Sequence, residues 1–191
     1  MLGSSWTSGI NLYMTIAGLG IAQRFHWISL PGDMKVLANP FIIIIALLVY
    51  IIEFVADKIP VVDNIWDSVH TFIRPVGGAV LGYMGMSTMG PAVQIPVALI
   101  TGAVSLDSHL TKATTRVAVN SSAIPFANVA ASVTEDVAVA GTLVLIAKHP
   151  VITALIVVLL IALSVWFLRK MFRFLKKVLK FMFAPSTSSE A

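Results

Sequence analysis

The stretch EFVADKIPVVDNIWDSVHTFIRP, residues 53 to 75, gathers Glu53, Asp57, Asp63, Asp67, His70 and Arg74 directly after the apolar run PFIIIIALLVYII. Carboxylates beside or inside a hydrophobic helix do a restricted set of things: they pair with a cation, bind an ion or carry a proton. Glu53 and Asp57 stand one helical turn apart, close enough to act together or to anchor a helix end in water. Asp63, Asp67, His70 and Arg74 recur at i, i+4, i+7 and i+11, which is one helical face. Oxygen and imidazole groups at that spacing can hold a divalent cation, so Asp63, Asp67 and His70 form a candidate metal set. The solvated face of an amphipathic helix has the same pattern.

A cationic group lies further along. Ser105, His109, Lys112 and Arg116 repeat the i, i+4, i+7, i+11 spacing. Equal stripes are what an internal repeat leaves, and also what two polar-striped helices share by chance. Arg74, His109, Lys112 and Arg116 can neutralise the acids or hold an anionic solute. Glu135 and Asp136 fall near the middle of the apolar segment PFANVAASVTEDVAVAGTLVLIA, residues 125 to 147. A lipid-facing carboxylate there costs several kcal/mol, so each needs a partner. Asn128 and Ser132 share the face of Glu135 and extend it into a polar track. The candidate ion or solute site is therefore Glu53, Asp57, Glu135, Asp136, Asn128, Arg74, His109, Lys112 and Arg116. Its structural alternative is a set of ion pairs, Glu135 or Asp136 with Lys112 or Arg116. Asn120, Ser121 and Ser122 precede a helix start at Pro125, where they either cap the helix or help its free N–H groups bind an anion.

These residues need a membrane scaffold to hold them. Of the 191 residues 58% are hydrophobic and only 12% charged, about half the charge of a soluble domain, with a mean hydropathy of +0.92. The expected fold is all-α: a polytopic helical membrane protein of about five spans, at about 20 residues per span. The stretch MLGSSWTSGINLYM has no Lys or Arg ahead of its apolar part, so a first helix, residues 9 to 28, is expected to stay in the mature protein. Asn39 and Pro40 read as the cap and first turn of a second span ending near Ala56, and Pro60 as a helix stop. Residues 75 to 106 are rich in Gly and Pro and too long for one straight span. They are expected as one broken span or as two half-length helices meeting near Met89, Gly90 and Pro91.

Residues 1 to 168 thus read as the transmembrane domain, 169 to 183 (RKMFRFLKKVLKFMF) as a cationic amphipathic helix on the membrane surface, and 184 to 191 as a disordered tail. Six basic residues in 169 to 183 place the C-terminus in the cytoplasm. With five crossings the loop holding Arg24 and Lys35 is then cytoplasmic, and the loop holding Asp57 to Asp67 faces out. Expected partners are the bilayer, anionic lipids at the C-terminal helix, a small ion or solute and further copies of the chain. The absence of cysteine removes thiol chemistry. The sequence has no nucleophile elbow, Walker-type loop or HExxH. Nucleic acid is excluded because the basic residues alternate with Phe, Leu and Val directly after a span. No cofactor is expected beyond a divalent cation.

The motifs SGINLY (8 to 13), EFVADKIP (53 to 60), D..WD..HTFIRP (63 to 75), H..KA..R..VN.S (109 to 122), PF.N (125 to 128) and the Glu135–Asp136 pair together resemble the bacterial integral-membrane family called domain of unknown function 4126. The resemblance runs over nearly the whole chain. It implies a multi-span protein of the bacterial inner membrane and brings no activity with it. Three functions fit these residues: a small transporter or channel-like protein with an intramembrane charge cluster, an accessory or scaffold protein with structural ion pairs, and a metal-dependent enzyme acting on a lipid phosphate.

Overall fold

The computed structural model describes residues 1–120 and 126–182 and, among these, contains helices and turns but no strand. Its solvent preference is inverted. Phe41 is 77% exposed and Leu99 71%, whereas Glu53, Arg74 and His109 are fully buried. A bundle that turns apolar side chains outward and ionised ones inward is built for hydrocarbon surroundings. Among the described residues, three helices are long and apolar enough to cross a bilayer, or four if a bent pair counts as one span. The chain is an integral membrane protein.

The N-terminal segment departs from expectation. In place of one helix over 9–28 there are two short ones, α1 (Leu2–Ile10) and α2 (Leu12–Arg24), broken at Asn11. The side chain of Asn11 accepts a hydrogen bond from the Met14 amide at 2.9 Å and so caps α2. Met1 packs with the cluster of Leu19, Leu30, Met34, Leu37 and Leu81, to which α2 also contributes. The start of α1 and the later part of α2 therefore share one end of the bundle, and Asn11 is the tip of a helical hairpin. Neither arm, at 9 and 13 residues, is long enough to cross a membrane. Small residues let the tip sit deep: a Cβ on Gly9 would collide with the Ser105 carbonyl and the Ser108 hydroxyl of a neighbouring helix.

A 3₁₀ segment, Gly32–Ala38, leads at a 72° bend into α3 (Pro40–Ala56), which begins as expected with the Asn39 side chain accepting from the Phe41 amide at 2.9 Å. Then come α4 (Pro60–Gly85) and α5 (Pro91–Asn120). The Gly/Pro-rich region breaks at the expected place, near Met89, Gly90 and Pro91, but the two helices that meet there are longer than the expected half-length ones. It supplies the adjoining halves of two long helices joined by a turn at 86–90, where Gly90 takes a φ of +76° that other residues rarely adopt. Pro75 and Pro96 lie inside α4 and α5. Beside Pro75, the Ser105 hydroxyl donates to the carbonyl of Arg74 at 2.8 Å and ties α5 to α4.

Helix α6 (Ala127–Lys148) carries Glu135 and Asp136 in mid-length. Helix α7 (Pro150–Met182) runs without a break from the expected last span through Arg169 and beyond, so the basic segment is the continuation of that span and not a separate surface helix. At 33 residues it is about 50 Å long, at 1.5 Å per residue, and outlasts a hydrocarbon core of about 30 Å. Residues 183–191, with the expected tail, lie outside the described residues.

The contacts also revise the expected loop arrangement. Because α1 and α2 form a hairpin, α3 to α7 alternate between the two ends of the bundle. The turn at Asp57–Ile59 lies at the end where α7 finishes, and the Arg24–Lys35 segment lies at the opposite end with Met1. The hairpin seat gives a direct test. Gly9→Ala should lower the stability of the purified protein by about 1–3 kcal/mol, the usual cost of overpacking, because the obstructing atom is a backbone carbonyl that cannot swing aside. Thermal unfolding in detergent, followed by tryptophan fluorescence, measures it.

Candidate functional site

Helices α4 and α5 lie antiparallel, and their polar stripes face one another. Asp63 lies 3.9 Å from Arg116, Asp67 lies 3.9 Å from Lys112, and Arg74 donates to His109 Nδ1 at 2.8 Å and meets Ser105 through its carbonyl. The equal spacing of the stripes is thus accounted for by pairing across an antiparallel contact, in reverse order. Gly78 and Gly82 allow the approach, since a Cβ on either would strike the side chains of Ser105 or Thr101.

Around this pair the other elements deliver oxygen atoms. The Lys112 ammonium lies 3.0 Å from Asp57, 3.5 Å from Glu135, 3.6 Å from Glu53 and 3.9 Å from Asp67, and it donates to the Ile10 carbonyl at 3.3 Å. Arg116 holds Glu135 through two nitrogens, Nε at 2.9 Å and Nη2 at 2.7 Å. Its remaining donors reach the Asp57 carbonyl and carboxylate and the carbonyl and side-chain oxygens of Asn128. Asn128 in turn donates to the Asp57 carbonyl at 2.8 Å. Deepest in the bundle, Arg74 pairs with Glu53 at 2.5 Å and donates to the Gly9 carbonyl at 3.1 Å. The last carbonyls of α1 thus meet two cations, which is where the negative end of a helix dipole is useful.

Every residue of the expected ion or solute set is placed in or against this cluster. Asp136 sits at its edge, accepting from the Asn11 side chain at 3.3 Å. His109 is the neutral member: its Nδ1 faces a permanent cation and can only accept, which leaves Nε2–H to donate toward the Asp67 carbonyl at 3.1 Å.

The expected metal set does not converge. Asp63 turns to Arg116 and to Asn120, whose Nδ2 donates to it at 2.9 Å, and Asp67 turns to Arg74 and Lys112. His70 stacks on Trp66 and uses both ring nitrogens, one on the Trp66 carbonyl at 2.8 Å and one with the Tyr13 hydroxyl at 3.1 Å. No group of three or more His, Cys, Asp or Glu side chains among the described residues could hold a metal ion. Of the expected anion-binding start before Pro125, Asn120 reaches Asp63 and Asn64, while Ser121 and Ser122 lie outside the described residues.

The charges do not balance. Five carboxylates, Glu53, Asp57, Asp63, Asp67 and Glu135, make ion pairs with three cations, Arg74, Lys112 and Arg116, and Asp136 adds a sixth carboxylate beside them. Glu53 Oε2, Asp57 Oδ1, Asp63 Oδ1 and both oxygens of Asp67 accept no hydrogen bond among the described residues. Uncompensated charges are costly in a low-dielectric interior, and the further cation in the field of Asp136 and Asp57 is Lys58, at the rim of the cluster.

The chain matches the family described as Domain of unknown function (DUF4126) over residues 1–170. It belongs to that family. No curated protein and no solved structure matches it. The family match spans the hairpin, the whole cluster and the greater part of α7, and its description carries no activity. Members are therefore to be compared at the cluster.

Sequence reasoning passed over Asn11, Tyr13 and the α1 carbonyls. The signal was present as Ser4, Ser5, Thr7, Ser8 and Asn11, a row of small polar residues in an apolar chain, all of them buried. The pairing yields an asymmetric expectation. Arg116→Met leaves Glu135 without its main donor and Asp57 with Lys112 alone, and should cost about 3–5 kcal/mol, as for other broken buried pairs. Arg116→Lys should recover little, because one ammonium cannot replace the two-pronged contact to Glu135. Parallel thermal melts of the two variants decide it.

Proposed function

We propose that this protein is a small transporter or channel-like protein of the bacterial inner membrane, in which the buried cluster binds a cation, a proton or a small charged solute. The observation that carries the reading is the surplus of carboxylates over cations at the tip of a broken helical hairpin. Broken helices whose ends point at ions are how membrane proteins build transport sites, because the freed backbone groups become ligands. Structural pairing alone is served by matched charges and gains nothing from unpaired acids.

Within the cluster the roles differ. Arg116 with Glu135 and Asn128 forms the fixed frame, since each polar atom of the guanidinium is engaged. Asp67 is the exchangeable member: it is buried, its carboxylate faces Arg74 at 3.5 Å and Lys112 at 3.9 Å, and neither carboxylate oxygen accepts a hydrogen bond among the described residues. By the positive-inside rule the basic end of α7 is cytoplasmic and meets anionic lipid there. Five crossings by α3 to α7 then put the Asp57 turn and the open end of the cluster on the cytoplasmic side. Copies of the chain associate through their apolar flanks.

The test is solid-supported-membrane current from the purified protein in liposomes, across alkali cations, organic anions and pH steps. Wild type should give a current for one class, and Asp67→Asn should abolish it while the melting midpoint stays within a few degrees, because no hydrogen bond is lost. An absence of current for every solute in the wild type, with Asp67→Asn as stable as before, would leave the scaffold reading in possession. Retention of full current by Asp67→Asn would remove that residue from the site.

A further inference from the structure

The four most enclosed acids of the cluster leave open how anything reaches it. Side chains of Glu53, Asp57, Asp63 and Asp67 are at most 6% exposed, but that of Glu135 is 18% exposed. Glu135 and Lys112 form the inner end of a cavity of about 330 Å³ between α1, α5, α6 and α7. Its α5 wall carries the hydroxyls of Ser108, Thr111 and Thr115, and its opposite wall is apolar, with Leu160, Leu163 and Phe167 on α7. The space is wide enough for an ion with part of its water shell.

At the α7 side of the cavity stands a carboxylate that the pairing scheme does not use. Asp107 accepts from Ser164, a lining residue, and has no cation in ion-pair contact among the described residues. It belongs to α5, one helical turn before Thr111 and two before Thr115. An unpaired acid on a bilayer-crossing helix is costly without a purpose. Glu135 in the lining and Asp107 behind Ser164 of the α7 wall, with the hydroxyls of Thr111 and Thr115 on the α5 wall, make a low-potential lane for positive charge.

We infer that the cavity between α1, α5 and α7 is the path by which a small monovalent cation reaches the buried cluster, with Asp107 as its outer station and Glu135 as its inner one. The inference rests on the transport reading and names its cargo as a cation rather than an anion. The hydroxyls of Thr111 and Thr115 already donate to their own helix carbonyls, which leaves their lone pairs free to receive a passing cation.

The chain contains no cysteine, so single cysteines can be read without background. Thr115→Cys probes the cavity, and Lys35→Cys, at an exposed position, is the reference. Each is reconstituted in liposomes and titrated with a cationic and an anionic methanethiosulfonate of similar size. Relative to Lys35→Cys, Thr115→Cys should prefer the cationic reagent by about tenfold, the enrichment a singly signed cleft gives. Adding Asp107→Asn should carry that preference most of the way back to the reference, with no change in melting midpoint. Protection of Thr115→Cys by sodium or potassium against a choline background would identify an alkali ion, and preference without protection would identify the proton.

Thr115→Cys inert to both reagents while Lys35→Cys reacts, or a preference no greater than the reference, would overturn the path. Labelling needs no flux, so the two readings fail separately. Currents without cation preference at Thr115→Cys would sink the path alone, and preference without any current would sink transport alone.

Discussion

One ammonium organises this bundle. Lys112 on α5 is held by oxygens from α1, α3, α4 and α6 at 3.0 to 3.9 Å, so a single side chain fixes the relative depth of five elements. In hydrocarbon there is no general hydrophobic drive to bring helices together, since lipid tails are as apolar as leucine. What selects one packing is polar satisfaction and close backbone contact. Shifting any of the four partners by one turn would separate a charge from its counter-charge, and that constraint sets the register of the whole fold. Gly9, Gly78 and Gly82 are necessary because the oxygens must come close, and α1 must end at Ile10 because an intact helix would keep its last carbonyls for itself.

Such a cluster is a poor source of net stability. Desolvating eight or more ionised groups offsets most of what their attraction returns, and its contribution is to specificity: one arrangement satisfies the cations and alternatives do not. The burden falls unevenly. Arg116 is saturated with acceptors, whereas Asp67 and the outer oxygens of Glu53 and Asp57 are not. The frame is thus built around cations and the slack lies with the acids. This is the division that a site exchanging positive charge requires, because the permanent charges hold the walls while the acids change partners.

Much of the site was legible in the sequence, and for a simple reason. A charge in an apolar chain is so costly that its position alone marks it, and the stripes at i, i+4, i+7 and i+11 told which residues shared a face. What spacing cannot express is which faces meet. Asp63, Asp67 and His70 lie on one stripe, yet the stripe curves across three neighbours, and Tyr13 and Trp66 claim His70 for a different contact. The second failure was of length. Gly and Pro marked the break near Met89, Gly90 and Pro91, but not that the flanking helices run on to Pro60 and Asn120 with Pro75 and Pro96 inside them, which membrane helices tolerate. A further break, which was not expected, falls at Asn11, in a Gly-rich segment that hydropathy reads as continuous. The uninterrupted α7 shows the same limit, since the change of composition at Arg169 does not mark where the helix ends.

The hairpin ties these points to function. A span that crosses the bilayer offers side chains to a site, whereas an arm that stops in mid-bundle offers its backbone as well, and at this tip the Gly9 and Ile10 carbonyls both face cations. Those two hydrogen bonds, with Asn11 on Asp136, are the polar contacts that hold the tip against the cluster. Any change of charge among the acids alters the pull that Arg74 and Lys112 exert on the carbonyls, because both cations are shared between them. On the proposed reading, occupancy of the cluster and the seating of the hairpin would be one equilibrium, since an ion that binds the acids more tightly in one seating must favour that seating by the same free energy. Such a coupling needs no distant relay, since the shared donors are two side chains and the hairpin touches them directly.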